Sequence, residues 1–560
     1  SSKARLVLAA LISLAFVACG SASSSPSPSS SPSPSPSSSS NKPGDDFTVV
    51  LPTGKVQGDL VDKTRRFLKI PYAKPPTGDL RWKAPVLPDP WSGVRHETAF
   101  ASPCPQNASS QGGASTDEDC LYLNIWTPEP GPTKAPVMIW IHGGGNFAGS
   151  AADTVPLVTP AMRWYDGKVF AARHGIVLVT ANYRLGPMGF FPHPALANEH
   201  SPVGNQGLLD QRMVMQWVKN NIVAFGGDPA NVTIFGESAG SSDVCYHVAS
   251  PGSRGLFDRA VSESGGCTTS LAGGKDVTAA GAATGMAAFT KAMSCDTAAD
   301  PLACLRGKSA AEIMANANQP NPMAGLVATS GAWTFPVVVD GPGGFLPDQA
   351  RTLYDSGNIA HVPYILGSNT DEGTLFLLDA PAVGNEAQYQ AALQMQFGSI
   401  SAQVEAVYPA SNFNGDFHAA LARAIGDSGL VCGTHDTARR AAKAGLHVFM
   451  YNFNIPWNIG VPSLGVSHAS EIGHVFGDPV KPDAASQAVS DAMNAFWAHF
   501  ATAGDPNVAG SPATWPPFAP TATDDDKRLE LDPGWEILDD FRKDECTFWR
   551  QQYDLAFAAP

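Results

Sequence analysis

Apolar residues along this chain come in short unbroken runs rather than in alternation. APVMIWIH (135–142), GIVLVTANY (175–183) and NVTIFG (231–236) are rich in β-branched side chains and nearly free of charged interruption. Such runs predict strands covered on both faces, because a strand with one wet face alternates. Between them LLDQRMVMQWVKNNIVAFG (208–226) repeats its apolar positions at helical spacing. GLFDRAVSES (255–264), HVPYILGSN (361–369) and HVFMYNF (447–453) continue the strand series toward the C-terminus. Strands alternating with helices predict an α/β fold around a large, largely parallel central sheet flanked by helices. The Ala- and Gly-rich stretch 268–330 predicts helices and loops that wall the edge of that sheet.

The N-terminal part breaks the pattern. Lys3 and Arg5 precede LVLAALISLAFVA, an apolar run too short to span a bilayer and laid out like a secretory signal. It ends in Val17-Ala18-Cys19-Gly20, which resembles a bacterial lipobox with Cys19 as the acylated first residue of a mature lipoprotein. Ordinary cleavage nearby, leaving a soluble secreted protein, is the alternative. Residues 21–40 contain only Ser, Pro and one Ala, a composition that buries no apolar surface and stays extended. The expected organisation is a signal segment 1–19, a Ser/Pro-rich disordered linker 20–45 able to tether the protein to a membrane, and one large domain 46–560.

Charge and cysteines narrow the function. Across 560 residues, 36 Lys and Arg stand against 51 Asp and Glu, a net −15 with no basic block, so nucleic acid is not an expected partner. Export makes the eight cysteines beyond Cys19 read as disulfide partners. Cys104 with Cys120 and Cys295 with Cys304 would close short loops, and Cys432 with Cys546 would tie a late helical region to the C-terminal segment. Cys245 and Cys267 remain, and whether they bond is left open. No C-x2-C couple or cysteine–histidine cluster suggests a metal, and no cofactor is implied.

Gly236-Glu237-Ser238-Ala239-Gly240 fits G-x-S-x-G, in which a serine sits on a strained strand-to-helix turn with glycines where a Cβ would collide. Upstream, His142-Gly143-Gly144-Gly145 follows a predicted strand and matches the HGGG loop whose backbone N–H groups face a developing oxyanion. Gly144, Gly145 and Ala239 are the expected N–H donors. The two motifs stand in the order that an α/β-hydrolase requires.

NQGLLDQRMVMQWVKNNIVAFGGDPANVTIFGESAG (205–240), EDCLYLNIW (118–126) and NYRLGPMGF (182–190) resemble the type-B carboxylesterase family, which includes cholinesterases and para-nitrobenzyl esterases. The resemblance runs from about 47 to 550 and implies an α/β-hydrolase fold and a carboxylic ester substrate. It also implies disulfides Cys104–Cys120, Cys295–Cys304 and Cys432–Cys546, and ion pairs Arg81–Glu118 and Arg184–Asp210. The triad acid follows a strand at Asp371-Glu372-Gly373; Asp371 is the rival, and the family's DEG motif selects Glu372. Of thirteen histidines the base lies in SHASEIGHVFG, where the family's H-x-x-E pattern selects His468 over His474. Glu237, Glu471 and Ser264 are expected around His468, supporting its positive charge. Two positions depart from the family beside the site: Glu263 where glutamine is usual, and Asn146 where phenylalanine often follows the glycines.

These residues imply acyl transfer through an acyl-enzyme, with Ser238 as nucleophile, Glu372 and His468 completing the triad. Amide or long-chain lipid substrates on the same triad, or a non-catalytic binding or adhesion member of the fold, are the alternatives. Choline selectivity is not expected, because PQNASSQGGASTDED between Cys104 and Cys120 has no aromatic residue to face a quaternary ammonium. Trp333 and Phe335 would either line the acyl side or pack in the core.

Overall fold

The unbroken apolar runs lie at the centre of a twelve-stranded sheet. The computed structural model describes residues 47–108, 113–155, 158, 162–269, 276–317, 335–378, 380–519 and 526–558. The signal segment, Cys19, the linker and Trp333 therefore lie outside the described residues. Strands β1 (Asp59–Val61), β2 (Thr64–Pro71), β3 (Tyr122–Pro128), β4 (Ala135–Ile141), β5 (Val177–Ala181) and β6 (Gly227–Glu237) form one half. The other half is β7 (Arg259–Glu263), β8 (Tyr364–Asn369), β9 (Val448–Phe453), β10 (Pro517–Phe518), β11 (Arg528–Leu531) and β12 (Ile537–Leu538). Their order is β12-β11-β9-β8-β7-β6-β4-β5-β3-β2-β1, with β10 beside β9.

From β5 through β4, β6, β7, β8 and β9 to β11 every neighbour is parallel. Every residue of β5, β8 and β9 is buried, which is why these sequences do not alternate. The N-terminal flank differs: β1, β2, β3 and β5 pair antiparallel, so the parallel character belongs to the centre of a mixed sheet. Sequence pattern does not announce β1 and β2, because DLV and TRRFLKIP mix charge into short segments with one side partly wet.

Helices α1 (Gln206–Asn221), α2 (Ala239–Ala249), α3 (Phe417–Gly426), α4 (Cys432–Lys443), α5 (Ala484–Ala503) and α6 (Lys543–Ala558) flank the sheet region. Where described, the Ala/Gly-rich segment forms helices and loops, and its Phe289, Leu305 and Ile313 join Trp82, Met188 and Phe191 in a buried cluster. Phe335 takes the core alternative, edge-on to Phe289 with ring centroids 5.7 Å apart. Among the described residues no helix is long and apolar enough to cross a membrane.

Four disulfides form: Cys104–Cys120, Cys245–Cys267, Cys295–Cys304 and Cys432–Cys546. Cys245 on α2 and Cys267 beyond β7 thus bond, fastening the helix after Ser238 to the loop after Ser264. Both ion pairs form too, and Arg184 grips the fully buried Asp210 with Nε and Nη2 at 2.7 Å each, the bidentate geometry that offsets the cost of burying two charges. The Cys432–Cys546 bond spans a sequence separation of 114, the longest of the four. Replacing both cysteines by serine is expected to lower unfolding free energy by about 3–5 kcal/mol, through the freed entropy of so long a loop. Urea denaturation of the variant beside the parent measures it.

Candidate active site

The parallel strands deliver their C-terminal ends to one place, the usual site position in such sheets. His142 follows β4, Ser238 follows β6, Ser264 follows β7, and Asn369 closes β8 ahead of Glu372. Ser238 has φ 58° and ψ −122°, a left-handed strained backbone for a non-glycine residue. The glycines around it are required by neighbours rather than by the turn alone. A Cβ on Gly240 would stand 2.1 Å from the Ile141 carbonyl oxygen, and one on Gly236 2.5 Å from the same atom. The turn therefore presses against β4, and Ser238 is left partly exposed between buried Glu237 and Gly240.

His468 meets this turn from the loop after β9. Its Nδ1 lies 2.6 Å from Glu372 Oε2, and both side chains are almost fully buried. Glu372 is itself oriented: its Oε1 accepts the backbone N–H of Asn369 at 2.7 Å. The Nδ1–H donates to the carboxylate, so Nε2 is the ring atom with a free lone pair in the neutral imidazole. Nε2 lies 3.1 Å from Glu237 Oε1, outside hydrogen-bond geometry, and neither atom has a hydrogen-bond partner among the described residues. Asp371 faces elsewhere, toward Arg423 Nη2 at 3.2 Å and the Val466 N–H at 3.1 Å. His474 is buried within a short helix, its Nε2 2.9 Å from Ser486 Oγ. The structure thus brings together Glu372 and His468 and keeps both sequence rivals away.

Three carboxyl groups, Glu237, Glu372 and Glu471, are buried around one imidazole, and a fourth, Glu263, is buried near Glu471 and Glu237. Burial disfavours charge on His468, but Glu237 and Glu372 outweigh it and raise its pKa to about 9. Burial raises Glu237, opposed by His468 and reinforced by Glu471 and Glu372. Glu471 is raised likewise by burial and by Glu372, although Asn369 Nδ2 donates to its Oε2 at 2.5 Å. Ser264 Oγ reaches the other Glu471 oxygen at 3.4 Å. Glu263 is raised as well: burial dominates, Glu471 adds to it, and the 2.7 Å bond from Trp497 Nε1 opposes it. Asn369 escaped sequence reading although it serves both Glu372 and Glu471; its signal was a polar residue closing an apolar strand just ahead of DEG.

The glycine loop lies against the turn. A Cβ on Gly143 would meet Glu237 O at 2.9 Å and Ser238 Cβ at 3.0 Å, which measures how closely the two segments approach. Gly144 and Gly145 have φ of 107° and 63°. Their N–H groups and that of Ala239 donate to no acceptor among the described residues. Such unspent donors beside a nucleophile can hold a developing oxyanion. His142 serves the loop rather than the chemistry: its ring stacks on Tyr183 at 4.3 Å, and burial lowers its pKa to about 4.

Comparison with known proteins identifies the family. The model of the Carboxylesterase family matches residues 45–549. Over 548 aligned residues the chain is 34% identical to the cholinesterase of Mus musculus, an alignment covering 90% of this chain and 87% of that protein.

Proposed function

The chain belongs to the carboxylesterase family, with its α/β-hydrolase fold, and is a serine hydrolase of carboxylic esters; on that premise we propose that Ser238, His468 and Glu372 are its triad. The observation that carries this reading is the His468 ring, held at Nδ1 by Glu372 while Nε2 stays unbonded beside the strained serine turn. His468 Nε2 takes the Ser238 proton as Oγ attacks the ester carbonyl carbon. The N–H groups of Gly144, Gly145 and Ala239 receive the oxyanion, and His468 returns the proton to the departing alcohol. Water then repeats the sequence on the acyl-enzyme and frees the carboxylic acid. Unspent donors and a free base are features that a purely adhesive member of the fold would not need. A fluorophosphonate probe tests the assignment: the label is expected on the peptide containing Ser238, and labelling elsewhere would refute it.

Esters of uncharged alcohols fit best. The name of the mouse relative concerns choline esters, whereas the loop between Cys104 and Cys120 here offers no aromatic face for a cation.

The acid cluster gives the reaction a definite pH dependence. His468 acts as base only when neutral, so turnover rises as pH climbs toward its pKa of about 9. Glu237 is the leading charge that raises this pKa. Glu237→Gln removes a stabiliser of the imidazolium, so the neutral base persists to lower pH. The acid limb of the kcat/KM profile is therefore expected to move to lower pH in Glu237→Gln, read with p-nitrophenyl butyrate. A limb that stays in place or moves to higher pH would remove Glu237 from this role.

The four disulfides are those of an oxidising, extracytoplasmic compartment. We propose that residues 1–19 direct export, that Cys19 is acylated, and that the Ser/Pro linker 20–45 holds domain 46–560 off a bacterial membrane surface. Metabolic labelling with a clickable palmitate is expected to mark the parent chain and not Cys19→Ala; an unlabelled parent refutes the anchor.

A further inference from the structure

Two polar residues outside the triad connect the segments that supply the oxyanion donors. Asn146 follows Gly145 at φ 61° and is pinned on three sides. Its carbonyl accepts the Gly186 N–H at 2.7 Å, its Oδ1 accepts the Tyr183 hydroxyl at 3.1 Å, and its Nδ2 donates to Asp243 Oδ1 at 2.9 Å. Asp243 lies on α2, the helix whose first residue is Ala239, and is completely buried. Its other oxygen accepts Gln211 Nε2 of α1 at 2.6 Å. The Gln211 amide cannot turn freely, because its Oε1 lies 2.9 Å from His247 Nε2 and must accept that N–H. His247 Nδ1 in turn lies 2.9 Å from Ser253 Oγ. Gln211 and His247 therefore have a fixed donor and acceptor sense, while the Tyr183 hydroxyl divides its single proton between Asn146 Oδ1 at 3.1 Å and the His142 carbonyl at 2.8 Å.

This chain has a job that packing alone does poorly. Gly144 and Gly145 have no side chains to anchor them, yet their N–H groups must point with that of Ala239 at one oxygen. Those donors belong to two segments far apart in sequence. Resting on the proposed oxyanion role of these N–H groups, we propose that Asn146 and Asp243 are positioning residues, a polar brace that fixes the glycine loop to the nucleophile helix and so sets the geometry of the oxyanion hole. The brace touches no reacting atom, so it acts on the transition state through donor placement and not on binding of the ester ground state.

The test exchanges the partners. Asn146→Asp sets two carboxyl groups against each other, whereas Asp243→Asn is met by a turned Asn146 amide whose nitrogen donates to Tyr183, because that hydroxyl still donates to the His142 carbonyl at 2.8 Å; both substituents tolerate their backbone. In the double variant Asn146→Asp/Asp243→Asn, the new carboxylate at 146 accepts from Tyr183 and from the new amide at 243, whose oxygen still accepts from Gln211. Asn146→Asp is expected to lower kcat for p-nitrophenyl butyrate about ten- to a hundredfold with KM little changed, and Asp243→Asn to change it little. Asn146→Asp should also weaken a trifluoromethyl ketone inhibitor, which forms a tetrahedral adduct, by a similar factor. The double variant should recover most of both. Asn146→Gly accepts the positive φ and buries no new charge, so it tests the brace even if a single exchange fails to fold; the same loss of kcat is expected. Wild-type kcat in Asn146→Gly, or a double variant as slow as Asn146→Asp, overturns the brace. With Ser238→Ala measured alongside, the two readings separate: turnover retained in Ser238→Ala would overturn the oxyanion reading and the brace together, whereas an inert Ser238→Ala beside a fully active Asn146→Gly overturns the brace alone.

Discussion

Replacing Ser238 by alanine is expected to lower kcat for a short p-nitrophenyl ester about 10⁵- to 10⁶-fold, the scale on which loss of a triad nucleophile is felt. The fold should not register the change. Alanine takes the same strained φ of 58° at the same steric cost, and among the described residues no hydrogen bond of the serine hydroxyl holds the turn, which is fixed instead by the Ser238 N–H donating to Glu263 O at 2.9 Å. Circular dichroism and the thermal midpoint should therefore match the parent. Adding His468→Ala to Ser238→Ala should cost little more, because residues that act as a unit lose their effect together. Turnover in Ser238→Ala above about a thousandth of the parent rate would place the nucleophile elsewhere.

Glu372→Gln should lower kcat about 10⁴-fold with the geometry preserved, for a reason the hydrogen bonds make specific. The Asn369 N–H donates to Glu372 Oε1 at 2.7 Å, so a glutamine must place its oxygen there. Its amide nitrogen then faces His468 Nδ1, where the carboxylate now lies at 2.6 Å. An N–H pointing at Nδ1 forces the imidazole into the tautomer protonated at Nε2, and a protonated Nε2 cannot take a proton from Ser238. Asp371→Asn is the matched control. Its contacts run to Arg423 and Val466, so kcat should stay within about threefold of the parent, as for a residue outside the reacting unit. Equal losses in the two variants would reassign the acid. Steady-state kinetics on both proteins, purified in parallel, decide it.

The local parts of this protein were legible because their causes are local. Unbroken apolar runs read as buried strands since burial on both faces leaves no room for alternation. G-x-S-x-G and HGGG read as a serine turn and a donor loop because their backbone needs residues without a Cβ. The antiparallel flank was not legible: β1 and β2 carry charges among their apolar residues, and the pairing of β1 with β2 and of β2 with β3 makes them strands. Asn369 was overlooked because its importance lies in a backbone N–H and an amide directed at two acids, which no residue pattern displays.

The sequence by itself determined the elements, the serine turn, the glycine loop and the short set of acids and histidines from which a triad can be drawn. The residue pattern leaves Asp371 and Glu372 open and only the family's DEG motif selects Glu372; the tertiary structure supplies the reason, because beyond β8 Glu372 faces His468 while Asp371 turns to Arg423 and the Val466 N–H. Tertiary structure alone also decided that Glu263 is buried near Glu471 with Trp497 donating to it, and that Asn146 reaches Asp243. The reason is common to all three. Charge interactions and hydrogen bonds depend on distances of a few ångströms between residues separated by tens to hundreds of positions, and the order of strands in the sheet sets those distances.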